Sequence, residues 1–265
     1  MALLTEEQIG FYRENGFLQV DDVLSPAEVA ELAAYMEEAM EEEAQRSVGR
    51  EKGGAYYRVL NQKVNTWRDH LGMARYSASP RFAEMARLLT GADGVRLFHD
   101  HILWKMPGDS KPTPWHQDMP YWPMEQPQAL SIWITVDDVD ENNGCMMFVP
   151  RSQRAGKLKE ISLTEPADIF EYARGTGAGD ERPVIARLRA GSCTFHCGLT
   201  FHYAHANRTD RIRRVLAIIF MPDGTVYTGK PHVITNGAGL VPDEPFRGGL
   251  FPLLAGAAAR RPSAV

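Results

Sequence analysis

Apolar positions change their spacing once along the chain, near Gly94, and the change separates two kinds of structure. Before it the spacing is helical. Thr5 and Gln8 form a capping-box pattern ahead of Ile9, Phe11 and Tyr12, and Asn15-Gly16 supplies a stop. That predicts a short helix, followed by a short strand over Phe17 to Val20. Ser25, Pro26 and Glu28 repeat the cap pattern and open a second helix, with Val29, Leu32, Ala33 and Met36 along one stripe. Its far end, Glu37 to Glu43, reads as a solvated acidic face. Ser79-Pro80 starts a third helix through Phe82, Met85, Leu88 and Leu89, with Gly91 ending it.

After Gly94 the period becomes two, in short β-branched and aromatic runs separated by turn residues. Strands are predicted over Val95–Lys105, Ala129–Val136, Cys145–Val149, Val184–Leu188, Cys193–Cys197, Thr200–Tyr203 and Val215–Met221. Turns are predicted at Asn142-Asn143-Gly144 and Asn207 to Asp210. In the second strand Leu130, Ile132, Ile134 and Val136 share one face, and Ser131, Trp133 and Thr135 the other. An apolar outer face with a mixed inner face suits a small barrel around a ligand cavity. No repeat, low-complexity block or linker interrupts the chain, which predicts one domain over 1–265. Its parts are a mainly helical stretch over 1–93, a β core over 94–222 with an insert near 153–183, and a C-terminal extension over 223–265. The Gly/Ala-rich end of that extension, from Gly248, reads as either a packed lid segment or a frayed tail.

Composition narrows the function classes. Of 265 residues 44% are hydrophobic and 24% charged, enough for a full core. Mean hydropathy is -0.32 and no apolar run is long enough to span a bilayer. The net charge of -5 with dispersed Lys and Arg excludes a nucleic-acid or anionic-membrane surface as the main expectation. The first residues lack a secretory pattern, and three cysteines do not make a disulfide framework, so a reducing cytoplasm is expected.

Candidate chemistry begins at Trp115-His116-Gln117-Asp118. Residues two apart on an extended segment point the same way, so His116 and Asp118 are able to grip one metal ion. One further His from a distant strand would complete the facial triad that leaves positions open on non-haem Fe(II). A second cluster, Phe195 to Asn207, offers His196, His202 and His205 for that place. Cys193 and Cys197 beside it lack the second compact pair of a structural zinc site and read as unmodified thiols. Arg211, Arg213 and Arg214 enter an apolar strand with only Asp210 as a near acid, so an incoming carboxylate is a candidate partner.

These residues resemble the phytanoyl-CoA dioxygenase family of Fe(II)- and 2-oxoglutarate-dependent oxygenases. The matching text is His116-Gln117-Asp118 with Tyr121 and Pro123, then Trp133, Asp140 to Cys145 running into Val149-Pro150, and His202 to Asn207 with Arg213. The resemblance covers about Leu97 to Met221, and more faintly Phe11 to Phe17 and the second helix. It implies a mainly β fold with N-terminal helices, built on a double-stranded β-helix of jelly-roll or cupin-like type. It implies iron held by His116, Asp118 and His202, with 2-oxoglutarate chelating the metal and its distal carboxylate meeting Arg213. His202 is favoured because the family places an Asn five residues on, here Asn207. Gln117 and Trp133 match positions near the co-substrate, and Gln62 or Asn65 offers a further polar contact.

Where relatives carry Gly-Ser after the last His this chain has Tyr203-Ala204, so one hydroxyl to the co-substrate is missing. Where they carry Pro-Gly-Ser-His it has Pro150-Arg151-Ser152-Gln153. Halogenating relatives replace the acid by a small residue, so Asp118 implies hydroxylation. The implied reaction consumes dioxygen and 2-oxoglutarate, releases succinate and carbon dioxide, and hydroxylates an unactivated C–H bond of a small molecule. Met119, Tyr121, Trp122, Trp104, His99 and His101 are candidate cavity walls. A cupin-like metal enzyme without 2-oxoglutarate, in which Arg213 is dispensable, and a non-catalytic binding barrel are the alternatives.

Overall fold

The computed structural model describes residues 3–46, 61–108, 110–163 and 168–256, with the side chains of 42–46 excepted. The side chains at the end of the acidic run and the tail from 257 therefore lie outside the described residues.

Helices stand where their caps predict. α1 (Glu6–Asn15) has the full box: Gln8 N–H donates to Thr5 Oγ1 at 3.2 Å and Thr5 N–H to Gln8 Oε1 at 2.8 Å. α2 (Pro26–Arg46) uses the same device, with Ser25 N–H on Glu28 Oε2 at 2.8 Å and Glu28 N–H on Ser25 Oγ at 3.3 Å. Two short helices, α3 (Thr66–Asp69) and α4 (Leu71–Ser77), carry no clear periodic stripe and were not expected. α5 (Pro80–Thr90) runs as predicted from its N1 proline to Gly91, although the Ser79 side chain makes no cap bond.

The strands form two antiparallel sheets. The larger has β1 (Phe17–Val20), β8 (Cys193–Cys197), β5 (Leu130–Thr135), β10 (Arg213–Pro222) and β3 (Gly94–Lys105) in spatial order; β11 (Leu253–Gly256) and β2 (Asn61–Val64) share the remaining edge of β3. The smaller is ordered β4 (Thr113–His116), β9 (His202–Ala204), β6 (Met146–Phe148) and β7 (Val184–Ala186). Stacked, they make the expected double-stranded β-helix.

Strand alternation decides what each sheet face sees. On β5, Leu130, Ile132 and Ile134 join Leu32, Met36, Phe82 and Met85 in the core between the larger sheet and the helices. Ser131 and Trp133, on the other face, reach a cavity between the sheets. On β3 the same rule sends Ile102 and Trp104 to the helices and His99, His101 and Leu103 to the cavity. Trp104 is thus a helix-side residue and not a cavity wall. Asp100 anchors this strand to α3 and α4: its buried Oδ2 accepts from Thr66 Oγ1 at 2.6 Å, Ser77 Oγ at 2.7 Å and Trp67 N–H at 3.0 Å.

The segment read as lid or tail contributes β11 up to Gly256, so that part is packed. The extension also fastens the loop that carries Trp122, a residue lining the cavity. Lys230 pairs with Glu160 of the insert and donates to the Pro120 carbonyl at 2.5 Å. Tyr121 of the same loop donates its hydroxyl to the Ile161 carbonyl at 2.5 Å. Among the described residues no helix is long and apolar enough to cross a membrane.

Candidate active site

His116 and His202 are direct cross-strand partners on β4 and β9, which brings together residues far apart in sequence. Each ring is oriented by its own strand: His116 Nδ1–H donates to the Pro114 carbonyl at 2.7 Å and His202 Nδ1–H to the Thr200 carbonyl at 3.0 Å. Both Nε2 atoms are thereby free to coordinate, and each lies 3.5 Å from Asp118 Oδ1. Burial, then the neighbouring His202, lowers the pKa of His116. Burial opposes ionisation of Asp118, but His202, His116 and His196 outweigh it and hold that carboxyl well below the usual range. A neutral imidazole pair with one carboxylate is the donor set of a divalent first-row metal, and the triad is the one group of three donors gathered within 4.8 Å among the described residues. The residues fit iron.

The other oxygen of Asp118 is held separately. Oδ2 accepts from Ser131 Oγ at 3.1 Å and from His196 Nε2 at 3.2 Å. His196 is therefore a clasp on the carboxylate and not the third ligand. Cys193 and Cys197 share the opposite face of β8 and pack toward the helices, so no zinc cluster forms with it.

Arg213 begins β10 at the far end of the same cavity. It is 2% exposed; Nη1 donates to the Leu103 carbonyl at 3.2 Å, and Nε is buried without a partner. Trp133 lies over the guanidinium at 5.2 Å. Burial pulls its pKa down to about 9, so it remains cationic at neutral pH with no carboxylate bound to it. A desolvated guanidinium aimed into a cavity is a seat for an anion, and the residues fit the distal carboxylate of 2-oxoglutarate. The predicted turn makes the room: Gly144 (φ 107) sits where a Cβ would come 3.0 Å from Lys105 Cδ and 3.4 Å from Arg213 Nε. Arg211 is exposed and faces Asp210, while Arg214 pairs with Asp137 and Glu37 on the outside.

One other predicted contact is turned away from the cavity. Gln117 points opposite to its neighbours, and its amide is consumed by the carbonyls of Gly156 and Leu199 and the N–H of Leu158. It braces the insert. Gln62 lies directly across from Leu103 on the edge strand β2, which puts it on the cavity face of that strand, beside the lining residues. Thr113, which carries no sequence signal of its own, does line the cavity, directly across from Ala204. Of the suggested walls, His99, His101 and Trp122 face the cavity, while Met119 packs beneath it.

A model of the phytanoyl-CoA dioxygenase family matches residues 12–215. The chain belongs to that family. The resemblance read from the motif residues is borne out, and the protein is a non-haem iron- and 2-oxoglutarate-dependent dioxygenase. The peroxisomal phytanoyl-CoA dioxygenase of Rattus norvegicus is 25% identical over 238 residues, covering 81% of this chain and 68% of the relative. Among solved structures, the alpha-ketoglutarate-dependent carbocyclase SnoK of nogalamycin biosynthesis is 30% identical with a TM-score of 0.80, covering 95% of this chain and 97% of that one. The epimerase SnoN, solved with Fe3+, alpha-ketoglutarate and nogalamycin RO, is 32% identical with a TM-score of 0.79, covering 94% and 98%.

Two expected results follow from this geometry. His196→Ala removes one of the two hydrogen bonds that aim Asp118, and iron binding should weaken roughly 10- to 100-fold. Equilibrium Fe(II) titration checks this; unchanged affinity would show that Ser131 alone fixes the carboxylate. The second concerns acid. Burial, helped by His232 and opposed by Asp118, lowers His101 from 6.5 to about 4. Between those values the unfolded chain binds a proton that the folded one refuses, so stability is lost as pH falls through that window, by no more than about 3 kcal/mol. Denaturant melts of metal-free protein at pH 7 and pH 5 should show a smaller loss in His101→Gln; an equal loss would contradict it.

Proposed function

We propose that the protein hydroxylates an unactivated C–H bond of a small molecule, using iron held by His116, Asp118 and His202 and 2-oxoglutarate anchored by Arg213. The observation that carries this reading is Arg213, a buried cation without an anionic bond, sharing one cavity with a complete His-Asp-His set. It favours 2-oxoglutarate over a cupin-like reaction that leaves the arginine no task.

Iron with 2-oxoglutarate, when bound, supplies the oxidising chemistry, in which dioxygen is spent splitting the oxo acid to succinate and carbon dioxide and oxidising a C–H bond. The protein's own work is orientation and exclusion of water. Trp133 fixes the plane of the Arg213 guanidinium from one side. Thr113 supplies, from the facing strand, the hydroxyl that Ala204 lacks. Asp118 fills the place a halide would need, and Ser131 with His196 keeps it there. Lys230 and Tyr121 tie the loop that carries the lining residue Trp122 to the insert and the extension. We read the chain as one oxygenase unit, and the three free cysteines support a reducing, cytoplasmic setting.

The test is release of carbon dioxide from 2-oxoglutarate labelled at C1, with and without Fe(II). Release that requires the metal supports the reading, and none from folded, metal-loaded protein would sink it. The solved relatives close a ring or invert a centre, so product mass decides the outcome at carbon. Gain of one oxygen atom means hydroxylation, loss of two hydrogens ring closure, and no change epimerisation.

A further inference from the structure

The cavity has a further wall, formed by residues other than the metal triad and Arg213. β3 presents His99 and His101 to it, two residues apart on one face. Their rings stack at 4.3 Å with an 18° interplanar angle, and His232 of the C-terminal extension continues the stack 6.2 Å from His99. His99 is only 2% exposed, and its Nδ1 is buried without a partner. A buried imidazole nitrogen left unbonded is costly, so the His99 ring, stacked on His101 at the cavity wall, marks a binding edge awaiting a ligand.

The charges around this edge are already committed. Among the described lining residues Asp118 is the only anion and Arg213 the only cation; the others are histidines, Thr113, Ser131, Trp122, Trp133 and small or aliphatic side chains. Nearby cations are occupied elsewhere: Lys105 Nζ lies on the carbonyls of Ala204, His205 and Lys111, and Lys230 on Glu160 and the Pro120 carbonyl. Burial keeps His99 well below its ordinary pKa and takes His101 and His232 down to about 4, so all three are neutral hydrogen-bonding groups.

We infer that the part of the substrate entering the cavity is uncharged and presents a hydroxyl or carbonyl oxygen to His99 and His101. This rests on the iron and 2-oxoglutarate reading of the same site. A carboxylate, phosphonate or ammonium group would give up its hydration here with no uncommitted counter-charge to meet it. A neutral oxygen meets two imidazoles, each with a donor and an acceptor nitrogen, while Trp122 and Ile219 cover the carbon skeleton. His99 and His101 are thereby specificity-determining residues, distinct from the metal ligands.

The experiment uses the anaerobic Fe(II) and 2-oxoglutarate complex, whose visible charge-transfer band responds to a molecule entering beside the metal. Four probes share one skeleton: indanone and indanol, which are neutral, and indane carboxylate and aminoindane, which are ionised at neutral pH. Both neutral probes should perturb the band and bind at least about tenfold more tightly than either ionised one, one hydrogen bond's equivalent in affinity. His99→Phe and His101→Phe keep a flat ring but lose the hydrogen bonds, and each should weaken indanone and indanol about tenfold; His101→Gln should restore part of the loss. The comparison of probes needs no variant, so a variant that fails to fold leaves it intact. Equal or tighter binding of an ionised probe, failure of both neutral probes, or unchanged affinity in folded phenylalanine variants would overturn the inference. Absence of the band before any probe is added would instead overturn the iron and 2-oxoglutarate reading.

Discussion

Asp118→Ala is expected to reduce metal-dependent turnover to background and to weaken Fe(II) binding at least about 100-fold, beyond the usual effect of losing a supporting partner. The carboxylate is the only anion of the set, and both imidazoles face its Oδ1 at 3.5 Å. Its loss also leaves the Ser131 hydroxyl and His196 Nε2 without their shared acceptor. His116→Ala and His202→Ala should match it in activity while leaving that clasp intact. Stoichiometric Fe(II) binding with full turnover in any one of the three would remove that residue from the triad.

Arg213→Ala should raise the 2-oxoglutarate requirement roughly 30- to 1,000-fold, the equivalent of about 2–4 kcal/mol for a desolvated, forked ion pair. No other unengaged cation lines the cavity among the described residues, so nothing replaces it. Arg213→Lys should recover little, because an ammonium cannot reproduce the fork or the stacking on Trp133. Arg211→Ala is the control: its side chain is exposed beside Asp210, and the requirement should stay near that of the parent. A parent-like requirement in Arg213→Ala, or a large rise in Arg211→Ala, would move the carboxylate to another group.

Much of this site was legible because extended strands carry simple parity. His116 and Asp118 share a face, and the same parity places Gln117 on the other one, where its amide braces Gly156, Leu158 and Leu199. Parity also separates His99 and His101 from Trp104, so the wall residues of β3 were readable in principle even where Trp104 was grouped with them. The assignment of Ser131 and Trp133 to the inner face of β5 rested on that rule and holds. What pattern does not show is which strands become neighbours. The clasp of Ser131 and His196 on Asp118 depends on β5 and β8 lying side by side, and Thr113 facing Ala204 depends on β4 meeting β9. α3 and α4 escaped for a different reason, since tertiary bonds of Thr66, Trp67 and Ser77 to buried Asp100 hold segments too short to show a period.

The central claim is that one cavity holds iron on the His-Asp-His set and 2-oxoglutarate between that metal and Arg213. Anaerobic titration of the Fe(II)-loaded protein with 2-oxoglutarate, read by the visible metal-to-ligand charge-transfer band, tests it most directly. The parent protein should develop the band to saturation, and Arg213→Ala should need far more co-substrate to reach it. A folded, metal-loaded protein that gives no band, or gives it identically without Arg213, would contradict the account.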